Sequence, residues 1–161
     1  MRVTIIGNYF LHHDIFWRCP WCFRPAVANE AMGRVYARHR LSINLHAQVV
    51  RHGTNMRTFE CAGYGIPQLV ENLPGLEKVF EPDREIATFA EEGEMLAVLD
   101  RLLNDPAGAE AMARRARRRA FREHSYHQRC IDLLAGILPS KLMRERIAVL
   151  RKRGGPLEVP S

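Results

Sequence analysis

The amino-acid sequence predicts an α/β protein in which a parallel sheet carries helices on both faces. The spacing of apolar residues switches repeatedly between a period of two and a period of about 3.6, as it does when strands alternate with helices. The chain has 161 residues, of which 47% are hydrophobic, so it can bury the core of one domain. A strand-helix order repeated four times requires right-handed crossovers between parallel strands. We therefore expect a sheet of four to six strands.

The first elements are a strand, a long loop, a helix and a second strand. The segment RVTII (residues 2–6) alternates like a strand and ends at Gly7-Asn8, and the aromatic-rich residues 9–25 follow as a loop. Residues 28–40 form a helical pattern, and LSINLHA (residues 41–47) reads as the second strand. The helix has one face made by Met32, Val35, Tyr36 and His39.

The central elements follow in the same alternation. A helix starts after the loop at residues 48–55 and ends at a Gly-Ile-Pro turn. PQLVE (67–71) is then a strand, GLEKVF (75–80) a short helix, EIATFA (85–90) a strand and EGEMLAVLDRLL (92–103) a helix.

Beyond residue 103 the pattern is helical. Asp105 is suited to cap a helix whose first residue is Pro106, and Ser125 with Gln128 forms a capping box for the next helix. Residues 140–153 are amphipathic, and their apolar positions are Leu142, Met143, Ile147 and Leu150. We expect one domain over residues 1–138, followed by an amphipathic helix and tail over residues 139–161.

The charge is +6 and is concentrated in one predicted helix, on Arg114, Arg115, Arg117, Arg118, Arg119 and Arg122. Such a cluster can bind phosphates. These arginines wrap around the helix, however, and no aromatic side chains lie between them to stack on bases. The sequence favours a solvated helix, and a nucleic-acid-binding module or a contact with an anionic membrane remains an alternative.

The cysteine spacing CPWC, Cys19 to Cys22, is compatible with a zinc knuckle or a redox pair. A zinc site needs two more ligands, and no suitably spaced residues supply them. We predict a packed loop and no metal. No apolar run is long enough to cross a bilayer, and the N-terminus lacks a cleavage signal. We therefore expect a soluble cytoplasmic protein.

Ligands of open parallel sheets bind outside the carboxyl ends of the strands. That edge is formed by Gly7-Asn8 and by the loops at residues 48–55, 72–75 and 90–93. In the second of these segments Gly53 provides flexibility, and Thr54 and Asn55 are good N-cap residues. The first N–H groups of the following helix belong to Asn55, Met56 and Arg57, and together with the helix dipole they make an anion site.

Two charged side chains extend this predicted anion site to a nucleotide site. The guanidinium of Arg57 suits a phosphate, and the carboxylate of Glu60 can accept hydrogen bonds from a ribose diol. The alternative is that Arg57 and Glu60 form an ordinary surface pair at i,i+3 spacing. The arginine precedes the glutamate, which is the weaker order for such a pair, and Glu60 is flanked by Phe59 and Cys61. The residues alone leave both interpretations open.

The segments SINLH, NMRTFECAGYGIPQLVENLPGLEKVFEPDREIATF, LNDP and REHSYHQR together resemble the C-terminal half of the CgeB-like (spore maturation protein-like) glycosyltransferases. That branch is close to the group 1 glycosyltransferases of GT-B fold. The similarity runs over about residues 28–138. It implies a Rossmann-like domain that binds a nucleotide-diphosphate-sugar as donor substrate, without a metal or a further cofactor.

The resemblance also implies roles for single residues. Glu60 matches the ribose-binding glutamate, and His52 stands where group 1 enzymes have a second glutamate that contacts the donor sugar. Arg57 would stabilise the leaving diphosphate. The turn Gly75, Leu76 and Glu77 resembles the one that faces the sugar and phosphates, although Glu77 is equally suited to be the N-terminal charge of its own helix.

The resemblance covers only the donor half of a two-domain enzyme. We expect this chain to bind the donor and to meet the acceptor through another domain, a partner subunit, or a homodimer formed by the C-terminal helix. A non-catalytic or regulatory nucleotide-sugar-binding subunit is a further alternative.

Overall fold

The computed structural model describes residues 3–8, 10–47, 49–137, 145, 147–149 and 152. Within these residues the chain forms five strands and six α-helices. In chain order they are β1 Ile5–Gly7, α1 Asp14–Arg18, β2 Phe23–Pro25, α2 Asn29–Tyr36, β3 Ser42–Asn44, α3 Met56–Tyr64, β4 Gln68–Glu71, β5 Ala87–Phe89, α4 Glu92–Asn104, α5 Pro106–Glu123 and α6 Tyr126–Ile137. Short 3-10 turns span Phe10–His12, Pro20–Cys22 and Leu76–Lys78. No helix in these ranges is both long and apolar enough to cross a membrane.

The strands pair in two parallel groups, and the chain divides into two compact units, Met1–Arg38 and His39–Ser161. Strand β1 pairs with β2 in the first unit, and the order in the second is β3-β4-β5. The predicted α/β class, with parallel strands flanked by helices, is confirmed. Two expectations were wrong. The described strands form groups of two and three instead of one sheet of four to six, and β1 pairs with a strand inside the segment predicted as a loop. The three residues of β2 are too few to show a period, and they end in a proline.

The Met1–Arg38 unit has a small aromatic centre. Phe23 of β2 is buried, and its ring contacts that of Phe16 edge-on at 5.3 Å. Trp17 and Trp21 lie on the surface. Cys19 and Cys22 are free thiols of intermediate exposure at the two ends of the Pro20–Cys22 segment, where the sequence predicted a packed loop.

The core of the His39–Ser161 unit consists of two apolar clusters. Successive residues of a strand point to opposite faces of a sheet, and Leu69 and Val70 of β4 accordingly belong to different clusters. One cluster joins β4 to α3 and α5 and contains Ala62, Val70, Leu76, Phe80, Ile86, Ala116 and Ala120. The other joins the strands to α4 and α5 and contains Leu69, Ala87, Phe89, Leu99, Leu102, Ala109 and Met112.

The predicted helix caps are partly confirmed. Asp105 caps α5: its Oδ1 accepts a hydrogen bond from the N–H of Gly108 at 2.9 Å, and Pro106 is the first helical residue. The Oγ of Ser125 accepts from the N–H of Gln128 at 3.2 Å. The reciprocal half of this capping box is wrong: the N–H of Ser125 makes no hydrogen bond to the side chain of Gln128, whose Nε2 donates to Asp132 at 2.9 Å.

His124, in the motif REHSYHQR, holds α5 to the segment after β4. Its Nε2 lies 2.7 Å from the carbonyl oxygen of Val79, so Nε2 carries the proton and donates. Its Nδ1 is then free to accept from Arg129 at 3.2 Å. The imidazole also contacts the rings of Phe59 and Phe80 edge-on, each at 5.3 Å. His124 therefore stabilises the fold.

The predicted boundary at residue 138 lies outside the described residues, as does most of the predicted helix at residues 140–153. Its described residues, Glu145, 147–149 and Lys152, are helical, and Ile147 is buried. The division that the structure shows falls between Arg38 and His39.

Candidate functional site

The N-terminus of α3 is held against the carboxyl end of β3 by two asparagines. Asn44 is the last residue of β3 and is only 4% exposed. Its Nδ2 donates to the Oδ1 of Asn55 at 2.9 Å, and the Nδ2 of Asn55 donates back to the Oδ1 of Asn44 at 3.0 Å. The Nδ2 of Asn44 also donates to the Oγ1 of Thr58 at 2.8 Å. This buried network fixes the position of the first turn of α3.

The same network leaves the start of α3 without a side-chain cap. Asn55 occupies the N-cap position, as predicted, but its side chain makes no cap bond because it is engaged with Asn44. The first N–H groups of an α-helix have no partners within the helix, and they carry the positive end of its dipole. The start of α3 therefore offers N–H donors at the carboxyl edge of the sheet.

The loops that follow β3 and β4 meet through their backbones. The N–H of Gly53 donates to the carbonyl oxygen of Pro74 at 2.7 Å. A Cβ on Gly75 would lie 3.4 Å from the nitrogen of Gly53. Both glycines have left-handed backbone angles, φ +80° at Gly53 and +97° at Gly75, which other residues rarely adopt. The structure thus brings together two of the loops that the sequence placed at this edge.

Leu76 and Glu77 serve the local fold. The side chain of Leu76 is fully buried in the core, and its N–H donates to the carbonyl of Leu73 at 3.1 Å. The Oε2 of Glu77 accepts a hydrogen bond from the N–H of Gly75 at 2.8 Å. Glu77 therefore acts as the N-terminal charge of its own turn, which was one of its two predicted roles. Within the turn Gly75, Leu76 and Glu77, it is the backbone of Gly75 that lies against the β3–α3 loop.

Arg57 and Glu60 form an ion pair on the first turns of α3. The Nη1 of Arg57 lies 2.8 Å from the Oε2 of Glu60, and the two side chains are 46% and 32% exposed. This is the i,i+3 pair of the alternative interpretation. On either side of Glu60, Phe59 packs against Phe80 and Cys61 is fully buried, so both neighbours face the core while Glu60 reaches the surface. His52 and Met56 are exposed close by in the sequence.

A buried histidine that the sequence analysis missed links the ends of β3 and β4. The side chain of His46 is 1% exposed. Its backbone N–H donates to the Oε2 of Glu71 at 3.0 Å, and its Nε2 lies 3.1 Å from the Oγ1 of Thr54. Both His46 and Glu71 stand at or just past the carboxyl ends of neighbouring predicted strands, and this was the available signal.

The arginines of α5 are largely engaged within the protein. Arg115 donates to the carbonyl of Arg84 at 2.6 Å, and Arg119 lies 2.9 Å from Glu85 and 3.0 Å from Glu123. Arg122 donates to Glu123, and Arg114 lies 3.6 Å from Glu110. These contacts leave less positive charge for an anionic partner than the sequence alone suggested.

Two members of this arginine and glutamate cluster have shifted pKa values. Partial burial by itself would lower the pKa of Arg119, but the hydrogen bonds and charges of Glu85 and Glu123 outweigh burial and raise it. The hydrogen bond from Arg122 lowers the pKa of Glu123, and the charges of Arg119 and Arg122 add to this against partial burial. Both shifts favour the ionised forms of Arg119 and Glu123.

The comparisons with known proteins agree with the α/β fold. A family model described as glycosyl transferase-like matches residues 1–135. The chain belongs to this glycosyl transferase-like family. Within the curated proteins nothing matches the chain.

A solved structure shares the fold of this glycosyltransferase-like chain. It is the crystal structure of Anabaena HepE in complex with UDP, which is 16% identical in sequence and superposes with a TM-score of 0.64. The match covers 84% of the present chain and 41% of HepE, so the chain spans less than half of that protein. The predicted glycosyltransferase-type α/β fold is confirmed.

Proposed function

We propose that the His39–Ser161 unit is the donor-binding half of a CgeB-like glycosyltransferase, which transfers a hexose from a nucleoside diphosphate to an acceptor. The observation that carries the proposal is the uncapped start of α3 at the meeting point of the loops after β3 and β4. Ligands of parallel sheets bind at this edge, and helix N-termini bind phosphates. HepE, which shares the fold, was solved with UDP, so UDP is the first nucleotide to test.

In this proposal Arg57 and Glu60 bind different parts of the nucleotide. Arg57 and the N–H groups of Asn55 and Met56 hold the diphosphate, and Gly53 and Thr54 shape the loop around it. Glu60 accepts hydrogen bonds from the ribose diol. The existing ion pair is compatible with both roles, because a carboxylate can accept about four hydrogen bonds and a guanidinium can donate five.

Catalysis in this proposal rests on stabilising the leaving group. Negative charge grows on the diphosphate as the bond to the sugar breaks, and Arg57 together with the dipole of α3 would stabilise that charge. His52 is exposed in the loop between β3 and α3 and would face the donor sugar. Gly75 contributes its backbone. Leu76 and Glu77 act indirectly, by fixing the turn that carries Gly75.

The acceptor, in this proposal, is bound outside the His39–Ser161 unit. The acceptor would be bound by a further domain, a partner subunit or a second copy of the chain that contacts the C-terminal helix. A nucleotide-sugar-binding subunit without catalysis is the main alternative, and nucleic-acid binding through residues 114–122 is the weaker one because those arginines are engaged internally. Cytoplasmic location remains a prediction.

The proposal is tested by calorimetric titration of UDP and uridine into the chain and four variants. Arg57→Ala should weaken UDP binding roughly 10- to 100-fold, the equivalent of one or two charged hydrogen bonds, while uridine binding changes little. Glu60→Gln should weaken both ligands, since both carry the ribose. The matched controls are Arg84→Ala and Glu81→Gln, which break an exposed ion pair of the same i,i+3 spacing at 2.9 Å.

Equal losses of UDP and uridine on Arg57→Ala would refute the phosphate role. If Glu60→Gln bound UDP and uridine as tightly as the parent chain, the role of Glu60 in binding the ribose diol would be refuted. Binding of DNA with a steep salt dependence, together with no saturable UDP binding, would favour the nucleic-acid alternative.

A further inference from the structure

His46 is a buried imidazole whose two ring nitrogens face different partners. Its Nε2 lies 3.1 Å from the hydroxyl of Thr54, and its Nδ1 lies 3.4 Å from the Oε2 of Glu71. The second contact is longer than a good hydrogen bond, and Nδ1 is buried with no hydrogen-bond partner. Glu71 is 34% exposed on its side chain and so has room to approach.

The carboxylate of Glu71 decides the tautomer of His46. A lone pair on Nδ1 would face a negative oxygen, whereas an N–H there is attracted to it. The neutral imidazole therefore carries its proton on Nδ1 and accepts at Nε2. Because Nε2 accepts, the hydroxyl of Thr54 donates to it.

A directed chain of hydrogen bonds follows from this assignment. The amide of Asn44 can only donate to the Oγ1 of Thr58, and the hydroxyl of Thr58 then donates to the Oγ1 of Thr54. Thr54 donates in turn to Nε2 of His46, whose Nδ1 lies 3.4 Å from the Oε2 of Glu71. Each hydroxyl accepts one bond and donates one, so the chain has a consistent direction from Asn44 at the end of β3 to His46.

Three successive loop residues are thereby tied to three different places. Gly53 is bonded to Pro74, Thr54 to His46 and Asn55 to Asn44. These residues immediately precede the first turn of α3. A loop that is ordered before binding avoids the entropic cost of ordering it on the ligand.

We infer that His46 and Glu71 are positioning residues, which hold Thr54 and the start of α3 in the geometry that accepts a diphosphate. The inference rests on the proposed donor site. Neither side chain is required to touch the nucleotide. They act through the orientation of Thr54, so their loss should weaken diphosphate binding more than nucleoside binding.

The first test is the tautomer, which requires no ligand. A long-range nitrogen–proton correlation spectrum of the full chain should show the His46 ring protonated at Nδ1 and unprotonated at Nε2. Glu71→Gln should shift this spectrum or mix the two tautomers. A ring protonated at Nε2 alone in the parent chain would overturn the inference.

The second test is binding, with His46→Gln, Thr54→Val and Glu71→Gln titrated with UDP and with uridine. Each should weaken UDP roughly three- to tenfold, the equivalent of one neutral hydrogen bond, with a smaller change for uridine. His124→Gln is the matched control, since it removes an imidazole that bonds a carbonyl at 2.7 Å outside this loop. It should lower stability and leave the affinity for UDP unchanged.

The outcomes separate this inference from the proposed function. If Arg57→Ala weakens UDP but the folded His46 and Glu71 variants bind it like the parent, the positioning role is wrong and the donor site stands. If the parent chain binds no UDP, the proposed function fails, and the tautomer spectrum alone then decides whether the chain of hydrogen bonds exists. Should His46→Gln not fold, the near-isosteric Thr54→Val supplies the binding result.

Discussion

Two helices of the same unit begin in opposite ways. At the start of α5, Asp105 accepts a hydrogen bond from Gly108 at 2.9 Å, and Pro106 has no N–H to satisfy. At the start of α3, Asn55 is an equally good cap residue by type, yet its side chain makes no cap bond. Its amide is paired with Asn44 of β3 instead.

This difference separates a helix end that a side chain caps from the uncapped one at which we propose the donor binds. Helix α5 follows α4 directly and closes its own N-terminus, which favours stability. Helix α3 follows the carboxyl end of β3, where ligands of parallel sheets bind, and its start has no side-chain cap. The type of the cap residue therefore indicates where a helix begins, and the hydrogen-bond partner of its side chain shows whether the first N–H groups of the helix are capped.

The largest effect on stability is expected where the open helix end is anchored. Asn44→Ala removes the donor to both Asn55 and Thr58 inside a buried site. We expect the free energy of unfolding to fall by about 2–4 kcal/mol, since each unsatisfied buried group costs about 1–3 kcal/mol. Urea denaturation measures it.

The control for this prediction is Asn72→Ala, in the exposed loop after β4. It should change stability by less than about 0.5 kcal/mol, as is usual for surface substitutions. If Asn44→Ala cost no more than this control, the network would not be what holds α3 to β3.

A direct test of the comparison replaces both cap residues. Asp105→Ala should cost about 1 kcal/mol of stability through the lost cap, with no change in UDP affinity. Asn55→Ala should cost a similar amount of stability and also weaken UDP, because the loop before α3 loses its anchor to β3. Thermal unfolding and UDP titration of the two variants measure both quantities. If Asp105→Ala weakened UDP as much as Asn55→Ala does, the distinction between the two helix ends would be wrong.

The smallest expected effect is on the pH dependence of stability, and it involves α5. The folded-state pKa of Glu123 is held below its ordinary value, first by the hydrogen bond from Arg122. The stability it contributes is therefore present above the unfolded-state pKa, near 4.5, and is lost as the pH falls through the folded-state pKa. Glu123→Gln should reduce the loss of stability on acidification below about pH 5.

This effect should stay under about 1 kcal/mol, because the side chain of Glu123 is 37% exposed and such pairs are weak. Urea denaturation at low salt, in steps from pH 7 downward, measures it. The amides and hydroxyls of Asn44, Asn55 and Thr58 do not titrate, so their own contribution is the same throughout. An unchanged acid profile in Glu123→Gln would show that the pair contributes nothing.

The contacts that the sequence predicted join residues that are close to each other along the chain. The cap by Asp105 and the alternative pairing of Arg57 with Glu60 depend on residues three positions apart, which a helix brings together whatever surrounds it. The pairing of Asn44 with Asn55 and the contact of His46 with Glu71 depend on how β3 and β4 lie side by side. In the pairing of β3 with β4, Asn44 stands opposite Val70, one residue before Glu71. No local pattern in the sequence encodes this register. The short strand β2 was missed for the same reason, since its partner β1 defines it.

The contact between Gly53 and Gly75 has a consequence for mutational mapping of this edge. The two loops meet through atoms that every residue possesses, so a scan that trims side chains to alanine removes nothing there and instead adds a methyl group. The two additions are not equivalent. At Gly53 the new Cβ meets nothing within 4 Å, so Gly53→Ala reports only the cost of the left-handed backbone angle. At Gly75 the Cβ would also contact the backbone of Gly53 at 3.4 Å, an ordinary van der Waals distance, so the difference between the two variants reports this added contact between the loops.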